Sequence, residues 1–114
     1  MATTYVRRFH LKDSLSDAEV IEYWRFLTEE FLPLIQKASG VHSVKYYSGA
    51  GALRADLRIV LDMDNAGVYE SLLVDPELRQ RLGRFYGAMD LSTSTQTFIR
   101  EVTPELIRAL SSTG

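Results

Sequence analysis

Residues 55 to 63 read Ala-Asp-Leu-Arg-Ile-Val-Leu-Asp-Met, and their alternation decides the fold. Leu57, Ile59, Leu61 and Met63 fall on one parity; Asp56, Arg58, Val60 and Asp62 fall on the other. Period-two patterning of this kind marks a β-strand with one face on a core. The other face carries charges, so what that face meets becomes the main functional question.

The segments on either side define a hairpin and two helices. Val41 to Ser48 is β-rich, and Gly49-Ala50-Gly51-Ala52 supplies a flexible turn into the 55–63 strand, which sets the pair antiparallel. Upstream, Ser16-Asp17-Ala18-Glu19 is a capping box that starts a helix. Its apolar stripe runs through Val20, Trp24, Leu27, Phe31, Leu34, Ile35 and Ala38. Pro33 removes an amide donor inside that pattern, which predicts a kink or break near Leu32, and Gly40 suits a left-handed stop.

Residues 3–11 form the first strand, with Tyr5, Phe9 and Leu11 on one parity and Val6, Arg8 and His10 on the other. Arg7 interrupts the apolar parity and leaves the facing of this strand open. Downstream, Asp64-Asn65 offers a helix cap for Val68, Tyr69, Leu72 and Leu73. Asp75-Pro76 restarts the helix with Leu78, Leu82, Phe85 and Met89 as its stripe. Ser92 to Val102 is the last strand, and Thr103-Pro104-Glu105 caps a short terminal helix.

The element order β-α-β-β-α-β leads to one domain over residues 1–114, a ferredoxin-like α+β sandwich. Its antiparallel sheet has strand order 4-1-3-2 with both helices on one face, which makes the 55–63 strand an inner one. Large apolar side chains on both parities of the first, second and last strands indicate that the second sheet face is covered as well.

Composition narrows the function classes. With 46% hydrophobic and 25% charged residues the chain is ordinary globular protein. A net charge of −2 gives no reason to expect a nucleic-acid partner, and the 55–63 strand lacks the stacking aromatics of RNA-binding sheets. There is no cysteine, so thiol catalysis, disulfides and thiolate metal sites are excluded. No segment has the pattern of a signal peptide or a membrane span, and a cytoplasmic location is expected.

The chain resembles the dimeric α+β barrel superfamily, which includes the antibiotic-biosynthesis monooxygenases and the stress-responsive A/B-barrel proteins. The residues that carry the likeness are Phe31-Leu32-Pro33, Ser39-Gly40-Val41, Asp62-Met63-Asp64 leading to Tyr69, and Asp75-Pro76-Glu77-Leu78. The resemblance implies a homodimer closed through the open sheet faces, often with a ligand pocket between sheet and helices. It identifies no subfamily. The haem-degrading members use an Asn, a Trp and a His together, whereas the only Asn in this chain is Asn65, in a turn.

Candidate site residues follow from chemistry. His10 and His42 are the only histidines, and His10, at the end of an inner strand, is the better general base. Arg58 could hold a carboxylate or phenolate, with Asp56 and Asp62 on the same strand face. Trp24, Phe31, Phe85 and Tyr86, with Tyr46 or Tyr47, could line an aromatic pocket under the helices. Each has a plainer reading: a hydrogen-bonded histidine, charges paired with one another or across a dimer seam, and ordinary core aromatics. No histidine cluster has metal-ligand spacing and no glycine loop has the setting of a phosphate site, so neither metal nor cofactor is expected. Two functions remain open. One is binding or transforming a small apolar or aromatic molecule by metal-free, monooxygenase-like or isomerase-like chemistry. The other is a non-catalytic homodimeric ligand-binding or accessory module.

Overall fold

The computed structural model describes residues 2–49 and 53–112. Along the chain these form β1 (Thr3–Leu11), α1 (Asp17–Phe26), a π-helical turn (Leu27–Phe31), α2 (Leu32–Gln36), β2 (Val41–Tyr47), β3 (Leu57–Met63), α3 (Ala66–Val74), α4 (Pro76–Gly87), β4 (Met89–Ile99) and α5 (Pro104–Ser112). The strands make one antiparallel sheet in the order β2-β3-β1-β4, with β1 and β3 inside. This is the ferredoxin-like α+β arrangement, with a short C-terminal helix added. Residues 50–52 of the hairpin turn lie outside the described residues.

The alternation in β3 does what its pattern requires. Leu57, Ile59, Leu61 and Met63 are buried against the helices together with Tyr5, Phe9 and Leu11 of β1. Arg7 keeps the same parity and is buried with them, so its place in the pattern reflects the fold and not a shift of register. The opposite sheet face carries Arg8 and Arg58, both exposed. β3 begins at Leu57 and not at Ala55, because Asp56 has φ 54°, a left-handed conformation that breaks the pleat. Asp56 therefore precedes the ladder instead of sharing a strand face with Arg58 and Asp62.

The first helical region stays helical through Pro33. Ahead of it the helix widens into the π turn, where the Leu32 N–H bonds to the Leu27 carbonyl. A proline ring crowds the carbonyl four residues back, and one inserted residue gives the turn room. The buried positions are consequently Val20, Tyr23, Phe26, Leu27, Phe31, Leu32 and Ile35, while Trp24, Leu34 and Ala38 are only partly buried. Tyr23 can go inside because its hydroxyl donates to the Phe85 carbonyl at 2.9 Å.

Several local signals form as read. Ser16 and Glu19 make the reciprocal capping box, with Ser16 N to Glu19 Oε1 at 2.9 Å and Glu19 N to Ser16 Oγ at 3.2 Å. Asp75 Oδ1 accepts from the Glu77 and Leu78 amides at 2.9 and 3.0 Å, with Pro76 as the first helical residue of α4. Asn65 precedes α3 but makes no side-chain capping bond. Among the described residues no helix is long and apolar enough to cross a membrane.

Candidate functional site

The site follows from antiparallel pairing. β1 and β4 place Arg7 opposite Gln96 and Tyr5 opposite Phe98, so these side chains share the helix-facing side of the sheet. The register then shifts between Arg8 and His10, and the Thr93 hydroxyl accepts the His10 amide at 2.9 Å in place of a ladder bond. Ser94, two residues before Gln96, points to the same side. α3 brings Tyr69 over this group, and α4 brings Phe85 and Tyr86.

Arg7 is the buried charge of this arrangement, with 6% of its surface exposed. Its Nε donates to Tyr5 Oη at 3.0 Å, one terminal nitrogen to Ser94 Oγ at 2.9 Å and the other to Tyr86 Oη at 3.2 Å. The guanidinium carbon also sits 5.8 Å from the Phe85 ring centroid and 5.3 Å from that of Tyr86. Every one of these partners is neutral. Among the described residues no carboxylate lies within salt-bridge distance of Arg7, and no cluster of His, Asp or Glu could hold a metal ion.

Around Tyr5 the hydrogen bonds have a fixed direction. Its hydroxyl accepts from Arg7 and donates to Gln96 Oε1 at 2.8 Å, and Tyr69 donates to the same oxygen at 3.0 Å. The two phenol rings stack with centroids 4.5 Å apart. Burial, followed by the contact with Tyr69, pushes the Tyr5 phenol well above its ordinary value, so it stays protonated. Burial opposes the charge on Arg7, but attraction to the oxygens of Tyr5 and Tyr86 outweighs it and raises the Arg7 pKa overall.

Tyr5, Arg7, Tyr69 and Tyr86 form one wall of a cavity of about 60 Å³ between sheet and helices, with Ser94 and Gln96 behind them. That is room for a few waters at roughly 10–15 Å³ each. The rest of the wall is apolar, with Phe31, Ile59, Leu61, Leu72 and Phe85 prominent and the exposed Leu73 at its border. Phe31 and Phe85 stack nearly parallel, with centroids 4.6 Å apart at 11°. Two roomier surface depressions, of about 310 and 430 Å³, lie beside Glu22 and Arg84 and beside Asp64 and Asp75. Their charged side chains are exposed.

Of the residues singled out from the sequence, Phe31, Phe85 and Tyr86 line the cavity and the others lie elsewhere. His10 Nδ1 accepts from the Asp56 amide at 2.8 Å, which places the proton of the neutral ring on Nε2 and makes that nitrogen a donor. Arg58 and Arg8 both pair with the Asp56 carboxylate, and the Arg58 hydrogen bond holds that carboxyl below its ordinary value. Trp24 donates to the Leu53 carbonyl at 2.8 Å, with its ring 6.2 Å from that of Tyr46. Asp62 accepts from the hydroxyls of Thr4 at 2.6 Å and Ser43 at 2.8 Å.

Those two hydroxyls, Thr4 first, hold the Asp62 carboxyl below its ordinary value of 3.8. The folded state thus favours the ionised form, so its contribution is complete above that value and disappears as pH falls through the lower folded-state pKa. Thermal midpoints recorded from pH 6 downwards are expected to fall less steeply below about pH 4 in Asp62→Asn than in wild type. Parallel curves would show that Asp62 contributes nothing to acid sensitivity.

Sequence reasoning missed the polar group of Arg7, Tyr5, Tyr69, Ser94 and Gln96 that stands beside Tyr86. One signal was present: an arginine on the core parity of a strand whose neighbours Tyr5, Phe9 and Leu11 are apolar. Ser94 and Gln96 carry no such mark, because they sit in a uniformly polar run.

No family model and no curated protein matches the chain. Solved structures do. A dimeric protein of unknown function and ferredoxin-like fold from Bacteroides fragilis superposes with a TM-score of 0.73 at 12% identity, over 88% of this chain and 96% of that one. SnoaB, a cofactor-independent oxygenase from Streptomyces nogalater, gives 0.68 at 12% identity over 90% and 97%. The ActVA-Orf6 monooxygenase of Streptomyces coelicolor, solved with nanaomycin D, gives 0.69 at 12% identity over 90% and 88%. Identities this low speak for the backbone alone, and what the chain shares with these proteins is the ferredoxin-like α+β fold to which its sequence resemblance points.

Proposed function

We propose that the protein is a homodimer closed through the open sheet face, and that each chain holds a small apolar or aromatic molecule in the cavity between sheet and helices. The observation that carries this reading is the cavity itself: an apolar enclosure with a buried, charged Arg7 in its wall. Pockets with mostly apolar walls and a few converging polar groups are the usual form of small-molecule sites. The dimeric state described for the Bacteroides neighbour and the oxygenase activities of the two Streptomyces proteins support the same reading at the level of fold.

The chemistry open to these residues is stabilisation of negative charge on oxygen. Arg7 and the Tyr86 hydroxyl can donate to an oxyanion developing on a bound carbonyl or phenol, as metal-free oxygenase or isomerase chemistry requires. A second reading, a non-catalytic ligand-binding module, is favoured by one feature of the same cavity. Its lining contains no carboxylate or imidazole to remove a proton. His10 and Arg58 belong to the open-face side, where the dimer would place them in the seam.

An NMR titration of the full chain with small aromatic compounds tests the cavity. Saturable shifts at Tyr69, Leu82 and Tyr86 are expected, with Tyr47, Arg58 and Thr97 on the open face unmoved. Shifts confined to the open face, or none, would overturn the assignment. Sedimentation tests the dimer: a two-chain species is expected, weakened by Arg58→Ala without loss of the cavity titration.

A further inference from the structure

We infer that the cavity is a receptor for a small organic acid, a planar carboxylate on a compact apolar body, with the Arg7 guanidinium as its anchor. The inference rests on the cavity being the ligand site and adds the chemistry of the ligand. An arginine has five N–H bonds. In Arg7 three of them go to the neutral hydroxyls of Tyr5, Ser94 and Tyr86, the Tyr69 hydroxyl also favours the charge, and among the described residues no carboxylate pairs with it. A carboxylate is the acceptor whose two oxygens match a guanidinium edge.

The hydroxyls around Arg7 sharpen the preference. On the cavity wall Tyr86 accepts from Arg7, which leaves its hydroxyl hydrogen to donate elsewhere. The Tyr5 hydroxyl is already engaged as both acceptor and donor. The Arg7 edge thus presents a cation with donors to the cavity. An ionised carboxylate, which only accepts and carries the opposite charge, suits it better than a neutral amide or alcohol of the same shape. The stacked Phe31 and Phe85 rings and the small volume limit the rest of the ligand to a flat or compact apolar group.

Ligand selectivity separates this role from a structural one. Replacing Arg7 removes a buried charge without a counter-charge, which favours the folded chain, together with three hydrogen bonds, which opposes it, so the melting point by itself does not identify the role. Anion preference is the readout that a purely structural guanidinium would not move, and Arg7→Met is expected to lose it.

The experiment is an NMR titration of the full chain with two matched pairs, benzoate against benzamide and isobutyrate against isobutyramide. The acid of at least one pair is expected to bind wild type no less than tenfold more tightly than its amide. Arg7→Met should abolish that preference, and Arg7→Lys should weaken it, because an ammonium is a point charge without the fork. Equal binding of acid and amide by wild type would overturn the anion assignment while leaving the cavity as a ligand site; this comparison needs no variant to fold. Saturable binding of no probe would overturn both. A lowered melting point in Arg7→Met with the acid preference intact would assign the guanidinium a structural part and likewise overturn the inference.

Discussion

A Phe85→Ala variant is expected to lose about 3–5 kcal/mol of folding stability, the range for removing a buried phenylalanine ring from a core. Phe85 has 4% of its surface exposed and touches three other aromatic rings. It stacks on Phe31 with centroids 4.6 Å apart, meets Phe9 edge-on at 5.9 Å and meets Tyr86 edge-on at 5.1 Å. Its carbonyl accepts the Tyr23 hydroxyl, so relaxation of α4 into the vacated space would strain that bond as well. Because the ring borders an existing cavity, the void would join it, and collapse would be resisted by the π turn that positions Phe31. At about 4 °C per kcal/mol for a domain near this size, the thermal midpoint should fall by roughly 12–20 °C. Urea unfolding measures the loss directly; a value below about 1 kcal/mol would mean that Phe31 and Tyr86 close over the gap.

Gly40→Ala is the second large effect, at roughly 2–4 kcal/mol from two separate causes. Gly40 has φ +87°, the left-handed region in which a Cβ is disfavoured, and the added Cβ would meet Val68 Cγ2 at 2.6 Å and Asp64 Oδ2 at 3.3 Å. The residue cannot simply move away, because its carbonyl accepts the Asp64 amide at 2.9 Å and ties the start of β2 to the end of β3. A double mutant with Val68→Ala separates the causes: relief of the contact should restore part of the loss and leave the dihedral cost. Full restoration would show that the left-handed conformation carries no penalty. Denaturant unfolding of the single and double variants provides both numbers.

Gly40 also shows why so much of the fold was legible. Its left-handed conformation is a property of one residue type, as the Ser16–Glu19 box and the Asp75-Pro76 start are of their spacing, and all three form in the structure, although α2 already ends at Gln36 and Gly40 turns the chain into β2 instead of stopping the helix. Local bonds of this kind depend on spacing along the chain. Trp24 and Tyr23 mark where that reasoning stops. Adjacent helical positions are about 100° apart, and the stripe put Trp24 inside on size and apolarity. The structure buries Tyr23 because Phe85, distant in sequence, presents a carbonyl to its hydroxyl. Asp56 is similar: a period-two pattern includes it in the strand, while its left-handed conformation and its bond to the His10 ring take it out.

By itself, the sequence determined the order of elements, the inner position of the strand that ends at Met63, and the apolar face that strand turns to the helices. Period-two alternation, caps and turn residues act over a few positions, and right-handed unknotted connections leave few ways to join the elements. Only the tertiary structure decided the site. Arg7 looked like a flaw in the alternation of β1 until pairing with β4 set Ser94 and Gln96 beside it and the helices brought Tyr69, Phe85 and Tyr86 over it. Whether a charged side chain in a core is a fault or a site depends on what stands around it, and here those groups come from three elements besides its own strand.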